Sequence, residues 1–277
     1  MSWRRVRRIS LMIAIDSHIH CGIQNVSLPF EVIEPLLEEA DIAGACLYAP
    51  VEDIYDRYDY NFQDTSAWRR TRHLANRYLL DLAGHSAHIY PYLFVWNDFA
   101  VEELRQPYCG IKWHRHAYEP VYHYDDPRCA RILEEITARR LPIVLEESFE
   151  NTIRFINDLA PEAVIIIPHL GGLNGSYGAL ERAGVWRREN TYADTALAST
   201  SEMRHFIRSY GPERLLFGSD FPFGDPGHEL RKVHSLGLSG LDLELVASGN
   251  ILRLIAEARK SVSPQPSSST GAGVDGS

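Results

Sequence analysis

Two histidines separated by one residue, His18 and His20, follow a short apolar run in a chain of 277 residues. On a β-strand, residues i and i+2 face the same side, with Cα atoms roughly 7 Å apart. Two imidazoles placed this way can tilt together and grip one divalent ion. The plain alternative is a pair of strand histidines bonded to backbone, and twelve histidines in the chain make chance pairs common. Other ligand-type residues end other apolar runs. Lys112 and His114 end one, Glu146 and Glu147 a second, His169 a third ahead of Gly171-Gly172, and Asp220 a fourth ahead of Phe221-Pro222. Each also has an ordinary role open to it: His169 as a turn cap, Asp220 as a turn or N-cap residue, Glu146 as the partner of Lys112 on a neighbouring strand. What favours chemistry is that all of them stand at the same point of their runs.

Those runs are the elements that must position them. Eight occur, at 12–15, 45–49, 89–95, 109–113, 143–145, 164–167, 191–193 and 215–217. They are β-branched or aromatic and mostly do not alternate, as expected of parallel strands covered on both faces. Helical spacing fills the intervals at 30–40, 68–82, 152–159, 178–182, 201–210 and 243–259. A further helix opens at Pro127 after the N-cap Asp126 and closes on Arg139 and Arg140. Eight strands alternating with helices over some 250 residues predict an α/β fold, a (β/α)8 TIM-type barrel whose functional rim lies at the C-terminal ends of the strands. A doubly wound open sheet is the alternative, but no GxGxxG follows the first strand.

Composition narrows the function. The net charge is −9, and part of the positive charge is gathered at Arg4, Arg5, Arg7 and Arg8, so the body lacks the basic face that nucleic acid requires. The four cysteines are scattered without a CxxC pair, which fits a reducing cytoplasm rather than a disulfide framework. The apolar run 9–15 is too short to span a membrane. Residues 1–11 read as an extension, 12–260 as one domain, and 261–277, with six serines and no aromatics, as a disordered tail. Segment 50–65 carries Tyr55, Tyr58, Tyr60 and Phe62 among five acidic residues; it reads as a lid, or as the contact of a homodimer.

Taken in order, Ile15-Asp16-Ser17-His18-Ile19-His20, Gly110-Ile111-Lys112, Pro168-His169-Leu170-Gly171-Gly172 and Leu216-Phe217-Gly218-Ser219-Asp220-Phe221-Pro222 resemble the amidohydrolase-related family, a branch of the metal-dependent amidohydrolase superfamily. The stretch Ser248-Gly249-Asn250-Ile251-Leu252-Arg253-Leu254 is similar to the family's ending, and the resemblance spans 12–258. It implies a barrel with a mononuclear or binuclear metal site, most often one zinc. His18 and His20 match first-strand ligands, and Asp220 matches an eighth-strand ligand that also accepts a proton from water. His169 matches a sixth-strand ligand or acid/base, and Lys112 a position where the family often has lysine. One departure stands out. Where the family commonly has a fifth-strand histidine, this chain has Glu146. A carboxylate can also ligate zinc, and its harder oxygen suits manganese or magnesium as well.

These readings lead to a metal-dependent hydrolase acting on a small carboxylate, lactone, ester or amide through metal-activated water. Asp220 serves as base and His169 as acid/base, while Lys112, His114 and Arg115 bind an anionic group of the substrate. Two alternatives remain: a non-oxidative decarboxylase of an unsaturated or aromatic acid, and a degenerate barrel that only binds. Against the last, Asp220 and His169 are both intact.

Overall fold

The structure is a computed structural model, and it describes residues 13–22, 27–86 and 88–262. Eight parallel strands lie in chain order around a barrel: β1 Ala14–His20, β2 Ile42–Tyr48, β3 Ile89–Phe94, β4 Gly110–His114, β5 Ile143–Glu146, β6 Ile165–Ile167, β7 Thr191–Asp194 and β8 Leu215–Leu216. The ring closes where the chain after β8 meets β1. Ile19 bridges Phe221, Ser17 N–H donates to Phe217 O at 2.9 Å, and Asp220 N–H donates to His18 O at 2.8 Å. Gly218 permits that approach, since a Cβ there would lie 3.0 Å from the Cβ of His18. The (β/α)8 expectation holds.

The helices are α1 Phe30–Glu39, α2 Ser66–His85, α3 Pro127–Ala138, α4 Phe149–Arg154, α5 Tyr177–Arg182, α6 Thr200–Tyr210, α7 Pro226–His234, α8 Gly240–Glu244 and α9 Asn250–Val262. Their starts follow local chemistry. Asp126 accepts from Arg128 N–H at 2.8 Å ahead of α3, and Ser199 and Glu202 form a reciprocal capping box on α6. Between β3 and β4 a short 3-10 stretch, Val101–Arg105, stands where the repeat would place a helix. The helix expected over 243–259 is divided instead: α8 passes through a wide π turn, Leu245–Gly249, into α9.

Two bodies of apolar side chains hold the barrel. The larger lies between strands and helices. The smaller fills the interior near the strand starts with Ile15, Tyr90, Cys109, Val164 and Tyr192, and α9 adds Ile251, Leu254 and Ile255 to it. Helix α9 therefore stoppers the end opposite the rim, and Arg253 donates to the Tyr192 hydroxyl at 3.1 Å across that seam. All four cysteines are buried and free. No described helix is long and apolar enough to cross a membrane.

The extension 1–11 and residues 263–277 lie outside the described residues; Ser261 and Val262, expected in the tail, instead complete α9. Segment 50–65 is anchored over much of its length. Tyr55 is buried and stacks on Trp96 with ring centroids 4.0 Å apart, whereas Tyr58 and Tyr60 are exposed.

Candidate metal centre and pocket

Strand β1 delivers both of its histidines to one point. The Nε2 atoms of His18 and His20 lie 3.2 and 3.3 Å from the same oxygen, Oδ1 of Asp220. The tautomer of His18 follows from its other side, where Nδ1 is 2.8 Å from Asp194 Oδ2. A carboxylate can only accept, so Nδ1 carries the proton and Nε2 presents a lone pair to Asp220. Burial, and then the nearby Lys112, lower the His18 pKa. Two acceptors facing each other at this distance repel unless positive charge lies close by, and Lys112 Nζ stands 3.2 Å from His18 Nε2. Two imidazole nitrogens and a carboxylate whose ligand atoms lie within 4.8 Å of one another, with one ring steadied by a second carboxylate, fit a divalent ion.

A second side of the centre is built on Glu146 at the end of β5. Its Oε2 accepts from Lys112 Nζ at 3.2 Å and lies 3.7 Å from His169 Nε2. Its Oε1 faces His114 Nε2 at 3.2 Å and makes a short hydrogen bond with His116 Nε2. Burial by itself would raise the Glu146 carboxyl; His114 and Lys112 overturn that and hold it well below the usual range. His18, Glu146 and His169 form a further group with ligand geometry, and so do His114, His116 and Glu146.

Asp220 and His169 take unusual backbone conformations, with φ of 59° and 55°. Left-handed residues other than glycine cost on the order of 1–3 kcal/mol each and gather at functional sites. Burial works to raise the Asp220 carboxyl, but His18, His20 and His169 outweigh it and keep it ionised. Burial works to lower His169, yet hydrogen bonding and charge from Glu146, with Asp194 and Asp220 behind, push it up to about 9. The carboxylates around His169 thus favour its protonated form over the neutral one. His114 is the opposite case, lowered to about 4 chiefly by burial.

Above the centre is a cavity of about 220 Å³ lined by His20, Val51, Arg57, His116, Leu173 and Phe223 among others. Of the three residues read as anion-binding, His114 lines it. Lys112 is wholly buried among the centre's own groups, 3.2 Å from His18 Nε2. Arg115 points elsewhere, donating to Glu147 Oε2 at 3.0 Å and to the carbonyls of Glu119 and Pro120. Glu147 also accepts from the Tyr124 hydroxyl at 2.9 Å, so it belongs to the scaffold and not to the centre. Three further residues enter that sequence reasoning passed over. Asp194 ends β7 at the rim, His116 repeats the spacing of one from His114, and Arg57 on segment 50–65 reaches the cavity while paired with Glu119 and Glu52.

Barrel, rim site and sequence agree on one class: the chain belongs to the amidohydrolase family, whose sequence model matches residues 15–255. No curated protein matches it. Among solved structures it is similar to 5-carboxyvanillate decarboxylase from Sphingomonas paucimobilis, with a TM-score of 0.70 and 14% identity over 88% of this chain and 99% of that one. It is also similar to a dihydroxybenzoic acid decarboxylase from Polaromonas sp. JS666 solved with manganese and the inhibitor 2-nitroresorcinol (TM-score 0.68, 15% identity, 88% and 96% covered). A third is a Pseudomonas putida protein provisionally described as a 2-pyrone-4,6-dicarboxylic acid hydrolase (TM-score 0.64, 18% identity, 89% and 98% covered). At these identities the likeness establishes the barrel they share.

Proposed function

We propose that this protein is a metal-dependent enzyme that hydrolyses a small anionic lactone, ester or amide. The observation that carries the reading is the convergence of His18, His20 and Asp220 at the floor of the 220 Å³ cavity. A dry cavity of about 150 Å³ accepts benzene, so this one suits a single ring bearing a small polar group. His18, His20 and Asp220 would hold the ion, with Glu146 on its next side. When bound, it supplies Lewis-acid polarisation and lowers the pKa of water. Zinc suits the imidazoles; the oxygen donors of Glu146 and Asp220 also suit manganese or magnesium.

The chain's own groups divide the remaining work. Asp220, ionised and flanked by His20, accepts a proton at Oδ2, the oxygen away from the His18–His20 pair. The imidazolium of His169 donates a hydrogen bond to developing negative charge on a substrate oxygen. Arg57, His114 and His116 line the wall where the substrate's anionic group would rest.

Decarboxylation of a single-ring carboxylic acid is the second reading, and it is favoured by the similarity to two decarboxylases, one of them solved with manganese. There His169 or His116 would deliver the proton that replaces the carboxylate. Elemental analysis of purified protein, followed by a panel of lactones, esters and ring carboxylic acids, tests both readings. Acid release without carbon dioxide supports hydrolysis, and carbon dioxide evolution supports decarboxylation. Protein that binds no divalent ion and turns over none of the panel overturns the proposal.

A further inference from the structure

The cavity has two unlike walls. Arg57, His114 and His116 come from the β2 and β4 sides, together with Val51, Glu52 and, from β5, Glu146, while Leu173, Leu197 and Phe223 come from the loops after β6, β7 and β8. In a barrel whose strands run in chain order these groups face each other across the mouth. Leu173, Leu197 and Phe223 are 48%, 47% and 56% exposed. Single exposed apolar residues are ordinary, but three on one lip of a candidate site form a patch that marks a contact.

Their positions are also built. Leu197 has φ of 55°, a region that a leucine enters at a cost and that asparagine or glycine tolerates far better. Its N–H donates to the buried carboxylate of Glu229 at 3.2 Å, and its side chain reaches over Gly224, where a Cβ would meet its Cδ2 at 3.0 Å. Leu173 precedes the buried Asn174, which donates to Leu145 O at 3.1 Å and to Thr152 Oγ1 at 2.9 Å. Phe223 is tied by its N–H to Asp220 O at 2.8 Å, and its ring stands edge-on 6.1 Å from that of His20. Apolar side chains are thus fixed at the lip by buried polar anchors.

We propose that Leu173, Leu197 and Phe223 form an apolar shelf that binds an alkyl or aryl substituent of the substrate, on the side away from its anionic group. The shelf rests on the reading of the cavity as a site for a small anionic ring. It narrows that class to rings carrying an apolar arm that extends past the lip. The anionic group turns to the Arg57 wall and the arm lies across Leu197 and Phe223.

The test is calorimetric titration of the metal-loaded protein with benzoate and with 3- and 4-alkylbenzoates from methyl to butyl. Affinity should rise by about fourfold per methylene in one of the two series, the factor that follows from burying a CH2 group. In Leu173→Ser/Phe223→Ser the rise should fall below about 1.5-fold per methylene. Leu197→Asn, which suits the left-handed backbone and so does not threaten folding, should reduce it as well. Benzoate binding with no gain along either series overturns the shelf alone, as does a gain that survives in both variants. Failure of benzoate itself to bind overturns the anionic-ring reading and the shelf with it.

Discussion

Asp194 joins two site histidines through its two oxygens: Oδ2 accepts from His18 Nδ1 at 2.8 Å, and Oδ1 accepts the backbone N–H of His169 at 2.8 Å. One carboxylate therefore fixes the tautomer of a candidate ligand and the left-handed turn that presents His169. In Asp194→Asn, an amide N–H directed at Nδ1 forces His18 toward the other tautomer and blocks Nε2. Metal affinity, measured by competition with a chelator, should fall by about 10–100-fold, as for other partners of metal-bound histidines. Unchanged affinity would remove His18 from the ligand set.

Glu146 and Glu147 are adjacent in sequence and should behave oppositely. Glu146 faces Lys112, His114 and His116, and Glu146→Gln should weaken metal binding by about 10–100-fold or more. Glu147 pairs with Arg115 inside the scaffold, so Glu147→Gln should leave metal content as it is. It should lower unfolding free energy in denaturant titrations by about 3 kcal/mol, because the buried Arg115 loses its counter-charge. Equal effects of both substitutions on metal would contradict this division.

Asp220→Asn should retain the fold and lose about 10²–10⁴-fold in kcat, with a smaller change in KM, because an amide cannot accept the proton. Metal content measured on the same sample separates a missing base from a missing ligand. A variant that keeps its metal and its kcat would assign the base to another group.

Asp16 lies beneath the centre, its Oδ1 accepting from His18 N–H at 3.0 Å and Ser219 N–H at 2.9 Å. Burial pushes its carboxyl up to about 7 from 3.8. Between those values the folded chain holds a proton that the unfolded chain has released, so stability falls as pH rises from about 4 to about 7 and the loss is complete above that. Asp16→Asn removes the cost. Its Tm should exceed that of the native protein at pH 8, by about 2–4 °C per kcal/mol recovered, and the gap should close at pH 4. A gap independent of pH would show that Asp16 does not titrate in this range.

All eight strands were legible because parallel barrel strands are buried on both faces and read as apolar runs. Boundaries were less so. Strand β1 continues through Asp16, His18 and His20, polar residues that end an apolar run in sequence yet stay in the ladder because the ring closes around them. Helix α7 opens on Asp225 and Pro226, the same N-cap and N1 pair that announced α3, but its pattern was lost behind the motif before it. Asp194 sits directly after the apolar run 191–193, where the rim rule applied as well as at Asp220. Arg57 could not have been placed, since only the stacking of Tyr55 on Trp96 and the Glu119 pairing bring its segment over the cavity.

Helix α9 closes the barrel floor with Ile251, Leu254 and Ile255, and this sets the traffic through the molecule. Among the described residues that end is stoppered by hydrocarbon, and the cavity beside the centre lies at the opposite rim. Whatever reaches the centre arrives past the lip, and whatever is made there leaves the same way. A spent molecule therefore obstructs the next one, and product should compete directly with substrate for the free protein.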